Sequence, residues 1–107
     1  MSYSFKSDPN WGNDNLWSWK DITYHWRVLG EQNDKPVLLI HGFGASSGHW
    51  RHNAFSLKEA GYRVYGLDLI GFGKSEQPGP KKINQLDNKF WGEQVTNFIK
   101  EVIQRNK

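Results

Sequence analysis

Pro36-Val37-Leu38-Leu39-Ile40-His41-Gly42-Phe43-Gly44-Ala45-Ser46-Ser47-Gly48 decides how the rest of the chain is read. Four aliphatic residues in succession, Val37 to Ile40, leave no polar face, the pattern of a strand covered on both sides in a parallel sheet. The run stops at once in glycine and serine. Glycine carries no Cβ, so backbone N–H groups in that loop can turn toward a bound group. Trp50, Ala54, Leu57 and Ala60 then fall at helical spacing within about Gly48–Ala60, and Gly61 supplies a helix stop. Tyr62–Leu69 reads as a second strand, followed by another glycine-rich loop, Gly71–Ser75, and the breaker Pro78-Gly79-Pro80. Strand, helix and strand in that order call for a parallel pair.

Upstream of this unit, Ile22, Tyr24, Trp26 and Val28 alternate with Thr23, His25 and Arg27, the period of a half-buried strand. Leu16–Lys20 is its expected hairpin partner, with the turn at Lys20-Asp21. Residues 1–15 mix Ser, Asp, Pro, Asn and Gly and read as a loosely held N-terminal segment. Downstream, Phe90/Trp91, Gln94/Val95, Phe98/Ile99 and Val102/Ile103 give one apolar helical face. The expected architecture is α/β: a β-hairpin, then strand–helix–strand–helix on a mostly parallel sheet.

At 107 residues the chain holds one small domain at most. Aromatics make up 15%, with six Trp, which excludes a disordered composition. No apolar run approaches the roughly 18 residues of a membrane span, and Met1–Asn15 contains no apolar core of a secretory signal. With no cysteine there is neither a disulfide framework nor a thiolate metal site, so a cytoplasmic location is the expectation. The net charge of +3 is scattered, the longest basic run being Lys81-Lys82, so no nucleic-acid partner is expected.

Ligands of open parallel sheets sit outside the carboxyl ends of the strands, where both glycine loops lie. Gly73-Lys74-Ser75 ends like a P-loop, but Asp68 stands where its first glycine belongs and prolines replace the following helix. Gly42 and Gly44, with Asp68 downstream, outline a dinucleotide fingerprint, yet Ser47 occupies the third glycine position and Asp68 comes late. Gly44-Ala45-Ser46-Ser47-Gly48 spells G-x-S-x-G, but His41-Gly42-Phe43 separate it from the strand and no histidine follows His52. Ser46 therefore reads as a loop serine rather than a nucleophile. His41-Gly42-Phe43-Gly44 directly after a strand fits a loop that supplies one backbone N–H of an oxyanion hole.

The segment from Pro36 to Ser75 resembles the α/β-hydrolase superfamily. Its motifs are Val37–Ser46, His49-Trp50-Arg51 and Gly66-Leu67-Asp68-Leu69-Ile70-Gly71-Phe72-Gly73-Lys74-Ser75. They look closest to a cyanobacterial and plant branch that includes pheophytinase-like enzymes, with epoxide hydrolases and haloalkane dehalogenases as relatives. The likeness extends over about residues 16–107, read as a partial α/β-hydrolase domain. It implies that the Phe43 amide, with Gly44 beside it, belongs to the oxyanion hole, and that His41, Gly42, Asp68, Gly71, Gly73 and Ser75 shape the two loops. In that family the nucleophile elbow follows the next strand and the triad acid and histidine come later, so no catalytic residue is expected within this chain. The expectation is thus an N-terminal fragment of a serine-type hydrolase, inactive alone. Its substrate, in the full protein, would be ester-like or hydrophobic, with no cofactor. Val37–Ile40 would pair with a strand not present here, so self-association or pairing with a C-terminal half is expected. His25, His49 and His52 show no shared ligand spacing, and no metal is expected. The alternative reading is a non-catalytic interaction module using the open sheet edge, with a nucleotide-binding βαβ unit third.

Overall fold

The computed structural model describes residues 9–42, 44–83 and 85–106. Strands β1 (Asn13–Trp19) and β2 (Ile22–Leu29) form an antiparallel hairpin in which Trp19 faces Ile22. The two residues between them, Lys20 and Asp21, have φ of 52° and 61°. Positive φ at both central positions gives the turn whose twist matches that of paired strands. β1 starts earlier than its sequence suggests, and residues 13–15 of the supposedly loose segment stand in the ladder. Trp11 before them is buried as well, its indole N–H donating to the Ser47 carbonyl at 2.9 Å. Its ring lies over Gly66, where an added Cβ would come within 2.6 Å of it. A polar composition concealed the anchoring of residues 11–15, while residues 1–8 of that segment lie outside the described residues.

Strand β3 (Lys35–Ile40) leads through a 3-10 turn (Ser47–Trp50) into helix α1 (Arg51–Glu59), and β4 (Tyr62–Leu67) returns parallel to β3. The described strands form one mixed sheet in the order β1-β2-β4-β3, with β2 and β4 antiparallel. β3 therefore stands at an edge. Val37, Leu38 and Leu39 are only half-buried, and Ile40 is 42% exposed, where the apolar run called for cover on both faces. The faces are covered, Leu38 packing on one layer and Leu39 on the other, but the edge is open.

β4 ends at Leu67, two residues before the expected end, because side chains replace the ladder beyond it. The Asp68 amide still reaches the His25 carbonyl at 3.0 Å. The Leu69 amide then donates to His41 Nε2 and the Ile70 amide to Gln94 Oε1. Helix α2 (Asn88–Phe98) begins at Asp87, whose carboxylate accepts from the Phe90 amide at 2.9 Å. It widens after Phe98 into a π-helical turn (Ile99–Ile103) and a 3-10 turn (Gln104–Asn106) instead of continuing regularly to Ile103.

The alternation along β2 and β4 divides the core. Ile22, Tyr24, Val28, Tyr65 and Leu67 meet Phe90, Phe98, Val102 and Ile103 on one face. Val64, Ala54 and Trp11 form the other, with Leu29, Leu39 and Leu57 packed against them. Gly66 on that second face admits the Trp11 ring. Gly66→Val is expected to displace it and lower stability by about 1–3 kcal/mol, the usual cost of overpacking. Urea denaturation followed by tryptophan fluorescence measures this; an unchanged midpoint would show that the Trp11 contact carries no weight.

Candidate active site

Ile40 and Leu67 are register partners, so β3 and β4 deliver their following loops side by side at one end of the sheet. Between these loops lies Asp68, 1% exposed. Its Oδ1 accepts from the Ser47 amide at 2.6 Å. Its Oδ2 accepts from the Lys74 amide at 2.9 Å and lies 2.8 Å from His25 Nδ1. One carboxylate thus ties the start of the 3-10 turn, the second glycine loop and β2. Gly73 is required by this arrangement, since a Cβ there would stand 2.5 Å from Oδ2 at a φ of 54°. Burial by itself would raise the Asp68 pKa. Hydrogen bonds from His25, the Lys74 and Ser47 amides and the Ser47 hydroxyl outweigh it and hold the carboxyl well below its ordinary value.

The backbone of Asp68 is gripped too. Its carbonyl accepts from Ser75 Oγ at 2.6 Å and from Gln94 Nε2 at 3.2 Å. Ser75 Oγ in turn accepts from the His25 amide at 2.8 Å. Gly71, at a φ of 97°, turns the second loop, and its amide donates to the Glu76 carbonyl at 2.9 Å.

His41 is 3% exposed. Its Nδ1 lies 2.8 Å from the Gly42 carbonyl, which can only accept, so Nδ1 carries the proton. Nε2 is then the acceptor for the Leu69 amide at 3.0 Å. Both ring nitrogens are engaged, one in each loop, and the ring spans the two strand ends with its edge on Phe72 at 5.7 Å between centroids. Beyond it the Gly42 carbonyl accepts from the Ala45 amide at 3.1 Å, and Gly44 has a φ of 81°. Both glycines are exposed, and among the described residues no atom beyond their chain neighbours lies within 4 Å of where a Cβ would stand. Gly42 and Gly44 therefore present open backbone. Phe43, assigned the oxyanion amide, lies outside the described residues.

Ser46 has extended backbone (φ −155°) at the head of the 3-10 turn, and its side chain makes no capping bond there. His49 and His52 are exposed, and among the described residues no group of three or more His, Asp or Glu could hold a metal ion. Sequence reasoning missed His25, Arg27 and Gln94. Arg27 is 2% exposed, with Nε donating to Ser47 Oγ at 2.9 Å and Nη1 to the Pro9 and Trp11 carbonyls. Strand alternation assigns His25 and Arg27 to solvent, and Gln94 hides on an apolar helix face. The one available signal was Asp68 itself, since a buried carboxylate demands donors.

These features define an α/β fold with a glycine-loop site at the carboxyl ends of its parallel strands, braced from beneath by a buried carboxylate. The family model of the alpha/beta hydrolase fold matches residues 35–105, and the chain belongs to that family. Epoxide hydrolase 4 of Mus musculus is 35% identical over 83 residues, 76% of this chain and 23% of its own length. The human (lyso)-N-acylphosphatidylethanolamine lipase is 45% identical over 65 residues, 59% of this chain and 19% of its own. Among solved structures, a membrane phospholipase A, described as a bacterial virulence factor, superposes with a TM-score of 0.75 at 30% identity, covering 88% of this chain and 29% of that one. The chain thus spans a quarter or less of the length of these two curated relatives. No helix among the described residues is long and apolar enough to cross a membrane.

Asp68→Asn removes the charge that His25 faces and turns a donor toward one of the two amides. A loss of about 3–5 kcal/mol is expected, as for breaking a buried ion pair, measured by chemical denaturation. Because the folded Asp68 pKa is depressed, its contribution is complete above the ordinary value of 3.8 and is lost as pH falls below it. Acid unfolding of the parent followed by circular dichroism should show this, and Asp68→Asn should flatten that limb. An equally steep acid limb in the variant would assign the effect to other carboxylates.

Proposed function

We propose that this chain supplies the N-terminal part of an α/β-hydrolase that cleaves an ester or a related bond, contributing the oxyanion loop His41-Gly42-Phe43-Gly44. The observation that carries the reading is the open backbone at Gly42 and Gly44, with His41 holding the Gly42 carbonyl and Asp68 holding the Ser47 amide further along the same connection. A nucleophile attacking a carbonyl forces negative charge onto its oxygen, and an amide already aimed at that position stabilises it without reorganisation. The Phe43 amide, flanked by Gly44, is the donor in this scheme. The nucleophile (serine, or aspartate as in epoxide-opening relatives) and its histidine come from sequence outside this chain. A strand of that remainder covers the β3 edge. Its substrate is a small ester-like or hydrophobic molecule, in keeping with relatives named for epoxides and acylphospholipids. We place the protein in the cytoplasm, near the pheophytinase-like branch, on its lack of cysteine and its two loop motifs.

The test uses the chain joined to the remaining strands of a family member. The parent chimera should hydrolyse p-nitrophenyl esters. Phe43→Pro, which deletes the amide N–H, should cost about 100- to 1,000-fold in kcat with KM little changed. Undiminished kcat would remove Phe43 from the oxyanion hole. Turnover by the isolated 107-residue chain that Ser46→Ala abolishes would overturn the division of labour altogether.

The exposed Ile40 on the β3 edge also favours a second reading, a module that docks another chain by strand addition. Under either reading the isolated chain should self-associate in light scattering, and Ile40→Lys should reduce this. A monodisperse parent would argue against an accessible edge.

A further inference from the structure

His25 lies on the α1 face of β2, 2% exposed, and both of its ring nitrogens face carboxylates. Nδ1 is 2.8 Å from Asp68 Oδ2, and Nε2 is 2.7 Å from Asp14 Oδ1. An ionised carboxylate only accepts, and a neutral imidazole has one N–H, so a neutral ring could satisfy one neighbour and would set a lone pair against the other. Independently of the ring, the Ser47 and Lys74 amides and the Ser47 hydroxyl favour the charged form of Asp68, and Lys74 and Arg27 favour that of Asp14. An acceptor within hydrogen-bond distance of each nitrogen favours a proton on both.

The charged groups around the ring come from every neighbouring element: Asp14 from β1, Arg27 from β2 itself, Asp68 from the end of β4, and Lys74 from the second glycine loop. Lys74 Nζ stands 3.8 Å from Asp14 Oδ2 and 3.3 Å from Asn10 Oδ1. The two ends of the bridge differ. The Asp68 side chain is 1% exposed, while that of Asp14 is 52% exposed. Water can take over the solvation of Asp14 but cannot reach Asp68.

We infer that His25 is a proton-operated latch: doubly protonated, it pins edge strand β1 to the sheet, and on losing one proton it lets go of Asp14 while keeping Asp68. The asymmetry fixes which proton leaves. Desolvation makes an unpartnered Asp68 costly, so the remaining N–H stays on Nδ1 and Nε2 gives up its proton. The β1 end then loosens while the loops held by Asp68 keep their places. This inference concerns the chain's own conformation and stands apart from the proposed hydrolysis.

The test is ring-nitrogen NMR of the 15N-histidine-labelled chain, with the His25 signals assigned by loss in His25→Gln, titrated from about pH 5 to pH 9. At the acid end both His25 nitrogens should show as protonated, and with rising pH Nε2 should lose its proton while Nδ1 keeps its own. Hydrogen exchange followed by mass spectrometry over the same range, corrected for the intrinsic pH dependence, should speed up roughly threefold to tenfold over Asn13–Leu16. The segment around Ser47 should not change. Asp14→Asn, an exposed substitution, should move the ring's proton loss to lower pH and abolish the pH dependence of exchange over β1. A singly protonated ring at the acid end, loss of the Nδ1 proton first, or a titration that ignores Asp14→Asn would each overturn the latch.

Discussion

A carboxylate removed from water must be met by donors, and Asp68 is the point where this chain accepts that constraint. Desolvating an isolated charge is expensive enough that the group would protonate rather than ionise. Here the Ser47 hydroxyl and amide, the Lys74 amide and His25 converge on two oxygens, and ionisation becomes the favoured state. These donors come from three different pieces of chain. Satisfying one side chain therefore fixes the relative positions of the β3–α1 connection, the second glycine loop and β2. A buried ion pair is poor value as a source of stability compared with an apolar substitute. What it supplies is geometry, since a carboxylate with directed partners tolerates less displacement than a hydrophobic contact.

The same logic runs through the backbone around it. Once β4 leaves its ladder at Leu67, the amides of Leu69 and Ile70 and the carbonyl of Asp68 need new partners because all three residues are buried. His41, Gln94 and Ser75 provide them. Polar side chains at the strand ends substitute for a strand, and the chain can turn sharply while remaining buried. The glycines follow from this crowding, clearly so at Gly73, where the carboxylate occupies the space of a side chain.

Much of this was legible beforehand, and for identifiable reasons. Val37–Ile40 and the glycine runs after each strand are local signals, set by short-range sterics and by an apolar run with no polar face, and they led to the right fold. The helix around Phe90–Ile103 was legible because 3.6-residue periodicity survives a π-helical turn. His25, Arg27 and Gln94 were not, because alternation and periodicity only sort residues into core and surface. A buried polar residue violates that sorting, and its partner can lie far along the chain: His25 and Asp68 are 43 positions apart. β1 was read short for the opposite reason, since Asn13, Asp14 and Asn15 look like a turn until Trp11 is seen seated on Gly66.

The two edges of the sheet are managed differently, and the difference bears on function. β1 carries Asn13, Asp14 and Asn15 toward one end, and Asp14 is drawn into the ionic cluster, so polar chemistry blunts that end of the edge and ties it to the site, while Leu16 beyond it is 66% exposed. β3 has only aliphatic residues from Val37 to Ile40, with Ile40 left in the open. An edge of that kind is suited to another strand rather than to water. It is also the strand that feeds His41 and the glycine loop, so whatever pairs with β3 arrives beside the open backbone face at Gly42 and Gly44. The fold thus ties the two strand-end loops together through Asp68 and His41 and leaves Ile40 exposed beside them.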